Sequence, residues 1–312
     1  MKLTYTLPLY LLLILLTTDL LYGQVYKKGW TSDTNLLLEP GIREDGRPTS
    51  RWIEAIYARR DKETIERLKE TSKLYTTEER LWVELIQSRS NVWKGRIDSL
   101  SIPFKEVALP DTVFILMGNA GGEDAFTYKD STIGFDVSRL QQIYGNASKL
   151  ENLDRIDRFF SHEMTHIYHK AWKKEHRIEL SSPLEYALWD CLVEGIGNYR
   201  SLSDKWVSKE GILTDRAENT LNELQPILVE RLIALEHATE DESIELLEGL
   251  SSGSFTKKWG ALTMALWLAQ EAKGNDANLQ IWIERGPWGV LQLADKYLPE
   301  EQREILSKVK KF

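Results

Sequence analysis

Apolar residues recur at intervals of three and four along most of the chain, which is the spacing of amphipathic helices. Residues 51–100 follow this spacing, and so does nearly all of the chain after residue 201. Between residues 103 and 137 the pattern changes to short apolar runs separated by turn residues, which predicts strands at 106–109, 112–117, 125–128 and 132–137. The pattern therefore predicts an α+β protein that is predominantly helical and contains one small mixed sheet.

Two long helices are predicted after the strands. The first spans residues 149–174 and would begin at a capping box that starts with Ser148. The second opens at a capping box that starts with Ser182, and Pro183 occupies its first helical position. Both helices are long enough to cross a small domain and to present side chains to a shared cleft.

The chain is predicted to have three regions after its N-terminal segment. Residues 25–102 form an N-terminal helical region, whose first part up to residue 50 is loop-rich. Residues 103–201 form a central core with the strands and the two long helices. Residues 202–312 form a C-terminal helical subdomain, in which Pro226 is predicted to interrupt a long helix.

The first 24 residues have the features of a secretory signal peptide. Lys2 precedes an apolar run at residues 7–16, and Gly23 and Gln24 offer a cleavage position. The run is short for a membrane span, although an uncleaved anchor or a misread apolar segment would show the same pattern. We expect an exported protein, periplasmic or secreted, with no stable membrane insertion after cleavage. Since Cys191 is the sole cysteine, no intramolecular disulfide can form.

Composition limits the class of partner. The chain has 312 residues, of which 42% are apolar and 28% charged, and this is the composition of a globular protein. Its formal net charge is -8, and the sequence has no long basic block, which argues against a nucleic acid as the main partner. No sequence pattern indicates an oligomeric state.

The first long helix carries the pattern H-E-x-x-H at His162, Glu163 and His166. Residues four apart lie on one face of a helix, about 6 Å apart along its axis, so the two imidazoles can converge on one zinc ion. Glu163 would lie beside the metal and take a proton from a water molecule that the metal makes more acidic. On the second helix Glu194 lies in an apolar segment, where a carboxylate is costly to bury without a partner such as a metal.

The H-E-x-x-H pattern followed by Glu-Gly on a later helix resembles the gluzincin group of zinc metallopeptidases, whose best-known member is thermolysin. The resemblance implies that His162, His166 and Glu194 are the ligands of one Zn2+ ion per chain. It also implies that Glu163 is the general base and that residues 103–201 form a zincin-like catalytic core.

The same resemblance implies further roles around the metal. Asn198, one turn after Glu194, occupies the position at which such enzymes often hold a side chain that hydrogen-bonds a ligand histidine. The strand at 132–137 resembles the edge strand that binds extended substrate by backbone pairing. The residue that stabilises the oxyanion is not identified, and the open candidates are Tyr199, Tyr186 and His176.

Three neighbouring positions limit the kind of zinc site and the number of its ligands. A metzincin needs a third histidine six residues after the second, and because that position is Trp172 this class is excluded. His169 lies on the same face as the motif histidines, and we interpret it as a packed or cleft-lining residue rather than a ligand. Cys191 has no paired motif and is interpreted as a small buried residue.

Two functions are consistent with these residues. The leading hypothesis is an exported zinc metallopeptidase that hydrolyses peptide bonds in a peptide or protein substrate, with Glu163 as the base. The competing hypothesis is a zinc-stabilised binding or scaffold protein that keeps the ligands but lacks an effective oxyanion stabiliser.

Overall fold

The computed structural model of the chain describes residues 34–59, 62–71, 73–105 and 107–308, so the predicted signal peptide at residues 1–24 lies outside it. The described part contains four strands, which are β1 (Asn35–Pro40), β2 (Thr112–Gly118), β3 (Ala125–Tyr128) and β4 (Thr132–Asp136). They form one sheet in the order β1-β2-β4-β3. β1 and β4 pair parallel with β2, and β3 pairs antiparallel with β4.

Helices make up most of the rest. They are α1 (Ser50–Tyr57), α2 (Lys62–Thr71), α3 (Thr77–Ser101), α4 (Val137–Tyr144), α5 (Leu150–Glu175), α6 (Pro183–Ser201), α7 (Asp215–His237), α8 (Glu240–Leu246), α9 (Ala261–Ala272), α10 (Gln280–Glu284), α11 (Trp288–Tyr297) and α12 (Glu300–Leu306). Short 3-10 turns occupy Ile102–Phe104, Phe255–Lys257 and Asp276–Leu279. The predicted class, α+β and predominantly helical with a small mixed sheet, is confirmed. None of the helices in the described residues is both long and apolar enough to cross a membrane.

The sheet differs from the predicted one at its edges. β1 lies in a segment predicted to be a loop. Its sequence has three successive leucines and no apolar–polar alternation, although the exposure of its side chains alternates along most of the strand. Residues 107–109 join no strand, so the strand predicted at 106–109 is wrong. β4 lies between β2 and β3, so the strand predicted as the edge is interior and β3 is the edge strand on that side.

The start of α4 is fixed by the buried carboxylate of Asp136. One oxygen accepts hydrogen bonds from the backbone N–H groups of Ser138 and Arg139, and the other accepts from Gly122 at 2.7 Å. An Asp at this position satisfies N–H groups that have no partner within the helix. It also holds residues 118–122 against the end of the sheet.

Three predictions about helix ends have different outcomes. The capping box at Ser148 is wrong, because its hydroxyl bonds Asn146 and α5 begins without a side-chain cap. Ser182 caps α6 and accepts a hydrogen bond from the backbone of Glu185 at 3.3 Å, but the Glu185 carboxylate accepts from the backbone of Ser181, so the predicted capping box is confirmed only in its first half. The interruption at Pro226 is wrong, since α7 runs through it. Pro226 lies on the exposed face of α7, where water can bind the carbonyl that proline leaves without a partner.

A buried carboxylate fixes α5 to α3. Asp157, with 5% of its side chain exposed, accepts hydrogen bonds from Arg89 at 2.9 and 2.7 Å. It also accepts from Nε1 of Trp93 at 2.7 Å, and the Trp93 ring stacks on Phe160 with a centroid distance of 4.5 Å. Asp157 and Phe160 lie on α5 within two turns before His162, so these contacts position the H-E-x-x-H segment.

α6 packs closely on the start of α9. A Cβ at Gly260 would lie 2.7 Å from Sγ of Cys191, so only glycine leaves room for this crossing. Cys191 is fully buried, and burial raises the pKa of its thiol. The residues from Thr34 onward belong to one compact unit.

Candidate metal centre

Three potential ligands converge where α5 and α6 lie against each other. His162 and His166 are one turn apart on α5, and their Nε2 atoms lie 2.9 Å from each other. Glu194 of α6 places its carboxylate oxygens 3.8 Å from Nε2 of His162 and 3.6 Å from Nε2 of His166. The ligand atoms all lie within 4.8 Å of one another, and no other group of three or more such side chains in the described residues could hold a metal ion.

These distances fit a site at which three side chains converge on one metal ion. Tetrahedral zinc bonds of about 2.0–2.2 Å to nitrogen and oxygen place ligand atoms about 3.3–3.6 Å apart. The two Nε2 atoms lie 2.9 Å apart, and Glu194 approaches His162 at 3.8 Å and His166 at 3.6 Å with different carboxylate oxygens. Two imidazoles and one carboxylate are also a donor set that catalytic zinc sites use, with a fourth position left for water or substrate. The residues present therefore fit the ion that the sequence predicts.

The two histidines are in the protonation state that metal binding requires. Burial is the main cause that lowers the pKa of His162 and of His166 to about 3. Neighbouring cations lower the pKa further, since Lys170 and Arg59 act on His166 and Lys258 acts on both. The imidazoles are neutral at pH 7, so each has a lone pair for a metal ion.

Side chains of α6 restrict the position of His162. Oγ of Ser201 lies 3.3 Å from Nδ1 of His162. Asn198, for which this contact was expected, instead donates its amide to the backbone carbonyl of Glu194 at 2.8 Å. Gly197 lies against the imidazole, because a Cβ there would be 3.0 Å from Cε1 of His162. Ser201 therefore takes the position beside the histidine that the resemblance implies for Asn198, and the end of α6 gives no local sequence signal for it.

Glu163 lies beside the three ligands and is held by the sheet. The hydroxyl of Thr127 on β3 donates a hydrogen bond to Oε2 of Glu163 at 2.8 Å. Burial raises the pKa of Glu163 to about 8, with this hydrogen bond acting against the shift and the charge of Glu194 adding to it. A carboxylate with a pKa near neutrality can both accept and release a proton during a reaction cycle.

An open cleft of 960 Å³ connects these groups with the edge of the sheet. The three ligands, Glu163 and residues 125–127 of β3 all line it. Among the described strands β3 pairs only with β4, so the backbone groups on its other side are available to an extended chain. The cleft therefore brings a potential metal ion, a carboxylate base and an open strand edge together.

His169 lines the same cleft but does not join the three ligands. It is 1% exposed, and neither ring nitrogen has a hydrogen-bond partner among the described residues. Phe104 and Trp189 contact its ring edge-on, at centroid distances of 5.3 and 4.8 Å. This is the packed, cleft-lining position that the sequence predicts.

The candidates for an oxyanion-stabilising residue lie outside the cleft. The hydroxyl of Tyr199 donates to Asp276 at 2.8 Å, and Tyr186 is 50% exposed. His176 stacks on Trp172 beyond the C-terminal end of α5. Since none of the three lines the cleft, none can contact a carbonyl oxygen bound there.

Comparisons of the chain with protein-family models, with curated proteins and with solved structures find no match. The function must therefore be inferred from the chemistry of the chain's own residues.

Proposed function

We propose that the chain is an exported zinc metallopeptidase of the gluzincin type, with a zincin-like core at residues 103–201. His162, His166 and Glu194 would hold one Zn2+ ion. The observation that carries the proposal is the convergence of these three side chains beside buried Glu163 in an open cleft. A zinc ion bound there supplies Lewis acidity, which makes water a nucleophile at neutral pH and polarises a carbonyl group.

Glu163 acts as the general base in this proposal. Its carboxylate takes a proton from the attacking water and passes that proton to the nitrogen of the departing amine. The hydrogen bond from Thr127 fixes one carboxylate oxygen, which leaves the other free to face the water. Burial raises the pKa of Glu163 to about 8, which favours retention of the proton until it is delivered. A bound dication would lower that pKa and so favour the ionised form that accepts the proton.

The open edge of β3 supports a peptide as the substrate class. An extended peptide can add to a strand edge through backbone hydrogen bonds, whatever its side chains are. A chain bound to β3 would pass Thr127 and therefore Glu163, to which Thr127 is hydrogen-bonded. Peptide binding at this edge would bring a scissile bond to the base.

The test compares bound zinc and cleavage of a mixed peptide library for the wild type, His162→Ala and Glu163→Gln. We expect His162→Ala to lose both zinc and cleavage, because it removes a ligand. Glu163→Gln should keep stoichiometric zinc and lose cleavage by about 10²–10⁴-fold, the usual contribution of a general base. Two matched controls, His176→Ala and Glu175→Gln, change the same residue types at the C-terminal end of α5. Both residues are exposed and lie outside the cleft, so these variants should keep bound zinc and peptide cleavage.

The outcomes separate the two functions that the sequence allows. Zinc-loaded wild-type protein that cleaves no peptide would refute the peptidase and favour the zinc-stabilised scaffold. Protein purified without chelator that carries no stoichiometric metal would exclude both. Cleavage that survives Glu163→Gln would remove the assigned base while leaving the metal site intact.

A further inference from the structure

Lys258 lines the cleft, and hydrogen bonds of its own backbone and of the next residue anchor it at the start of α9. It follows the 3-10 turn Phe255–Lys257, and its carbonyl accepts a hydrogen bond from Leu262 at 2.9 Å at the start of α9. The next residue, Trp259, is buried and donates from Nε1 to the carbonyl of Glu248 at 2.9 Å. The Lys258 side chain is therefore half-buried in the cleft wall and starts from a fixed point.

The Lys258 ammonium has no anionic partner in the described part of the protein. No carboxylate oxygen of those residues lies within 4.0 Å of it, and it makes no hydrogen bond to them. Other cations of the cleft have partners, since Arg59 pairs with Glu123 at 2.7 Å and Lys170 donates to the carbonyl of Lys129 at 2.8 Å. Arg139 donates to Gln142 at 2.7 Å, and Nζ of Lys173 lies 5.2 Å from the ring centroid of Trp189. A half-buried cation without a partner is costly to desolvate unless an anion arrives from outside the chain.

Lys258 lines the same cleft as Glu163 and both metal-ligating histidines. Burial is the main cause that lowers the pKa of His162 and His166, and the positive charge of Lys258 contributes to both shifts. Lys170 and Arg59 also contribute to the shift of His166. From the cleft wall, the charge of Lys258 therefore acts on both histidines of the candidate site.

We propose that Lys258 stabilises the negative charge that develops on the carbonyl oxygen of the scissile peptide bond, a role that rests on the peptidase function proposed above. In the first step the water oxygen bonds to the carbonyl carbon, the π electron pair moves onto the carbonyl oxygen, and Glu163 takes the water proton. In the second step an electron pair on that oxygen re-forms the carbonyl, the C–N bond breaks with its electron pair leaving on nitrogen, and the proton passes from Glu163 to that nitrogen. An ammonium in the cleft wall stabilises the charged state more than the neutral peptide, so it lowers the barrier rather than only tightening binding.

The kinetic test compares Lys258→Met, Lys258→Arg and, as a matched control, Lys257→Met, which removes the charge of the exposed neighbouring lysine. Lys258→Met should lower kcat by about 10²–10³-fold with little change in KM, as removal of an oxyanion donor does. Lys258→Arg should recover most of the lost activity, and Lys257→Met should match the wild type. A kcat within about threefold of wild type for Lys258→Met would overturn the proposal.

A binding test does not depend on turnover. Calorimetry with a peptide in which a phosphonate replaces the scissile amide should show about 10²-fold weaker binding to zinc-loaded Lys258→Met than to zinc-loaded wild type. Zinc itself should bind the variant at least as tightly, because a repelling charge is removed. Equal phosphonate affinity would overturn the role of Lys258 even if the wild type cleaved no peptide, so the two proposals fail separately. A kinetic defect confined to substrates with a free C-terminal carboxylate, and absent with amidated ones, would also overturn it.

Discussion

Removal of the Asp157 carboxylate should destabilise the fold through the contact between α3 and α5. In Asp157→Ala, Arg89 loses two hydrogen bonds and its ion pair, and the buried Nε1 of Trp93 loses its acceptor. Breaking a buried ion pair from one side costs about 3–5 kcal/mol, and leaving a buried donor unpaired costs about 1–3 kcal/mol. Because 17% of the Arg89 side chain is exposed, water offsets part of these costs, and we expect a net loss of about 3–4 kcal/mol.

The measurement is the free energy of unfolding of the metal-free protein in urea. The matched control is Asp154→Ala on the same helix, which removes a carboxylate that bonds Arg158 at 2.9 Å but is 67% exposed. That loss should stay below about 1 kcal/mol, as for other exposed pairs. Asp157→Asn keeps the shape and one acceptor oxygen, so its loss should lie between the two. Equal losses for the two alanine variants would refute the assignment of Asp157 as a buried anchor.

Three further substitutions address the site. Gly197→Ala places a Cβ 3.0 Å from the His162 ring, so zinc affinity in a competition titration should fall about tenfold although alanine favours the helix, and an unchanged affinity would contradict this close approach. His169→Phe should reduce the pH dependence of the free energy of unfolding. Burial lowers the pKa of His169 in the folded protein from 6.5 to about 3. The unfolded chain therefore takes up the proton first, and the stability of the wild type falls as the pH falls below 6.5. Urea unfolding should show that wild type loses about 2 kcal/mol more than the variant between about pH 7.5 and pH 5, and parallel losses would count against it. Thr127→Val removes the hydrogen bond to Glu163 and should lower kcat about tenfold with zinc content unchanged, whereas loss of zinc would indicate a wider disturbance.

The ligands of the candidate site could be named from sequence because helical spacing is local. His162 and His166 share a face of α5 whatever the rest of the chain does, and Glu194 stands out as a carboxylate in an apolar helix. Thr127 and Lys258 could not be named, since they reach the site only through the packing of a strand and of the turn before α9 around it. The residues that the sequence does not identify are those whose position depends on tertiary contacts.

In the sheet, too, local features could be predicted from sequence and tertiary pairing could not. The runs at 112–117, 125–128 and 132–137 each predict a strand, and β2, β3 and β4 appear there. Their order could not be predicted, because β4 returns to pair with β2 and leaves β3 at the edge. β1 pairs with β2 from a distant part of the chain, and because its three successive leucines show no apolar–polar alternation, its sequence does not identify it as a strand.

The reactivity of Cys191 can report how often α6 separates from α9. Its thiol is fully buried against Gly260, on the helix that carries Glu194, and the chain has no other cysteine. Since the thiolate is the reactive form and burial disfavours it, a thiol reagent can modify Cys191 only in molecules in which α6 has separated from α9. The rate of labelling, measured with and without zinc, therefore gives the frequency of that separation and the extent to which metal binding suppresses it, with no engineered probe.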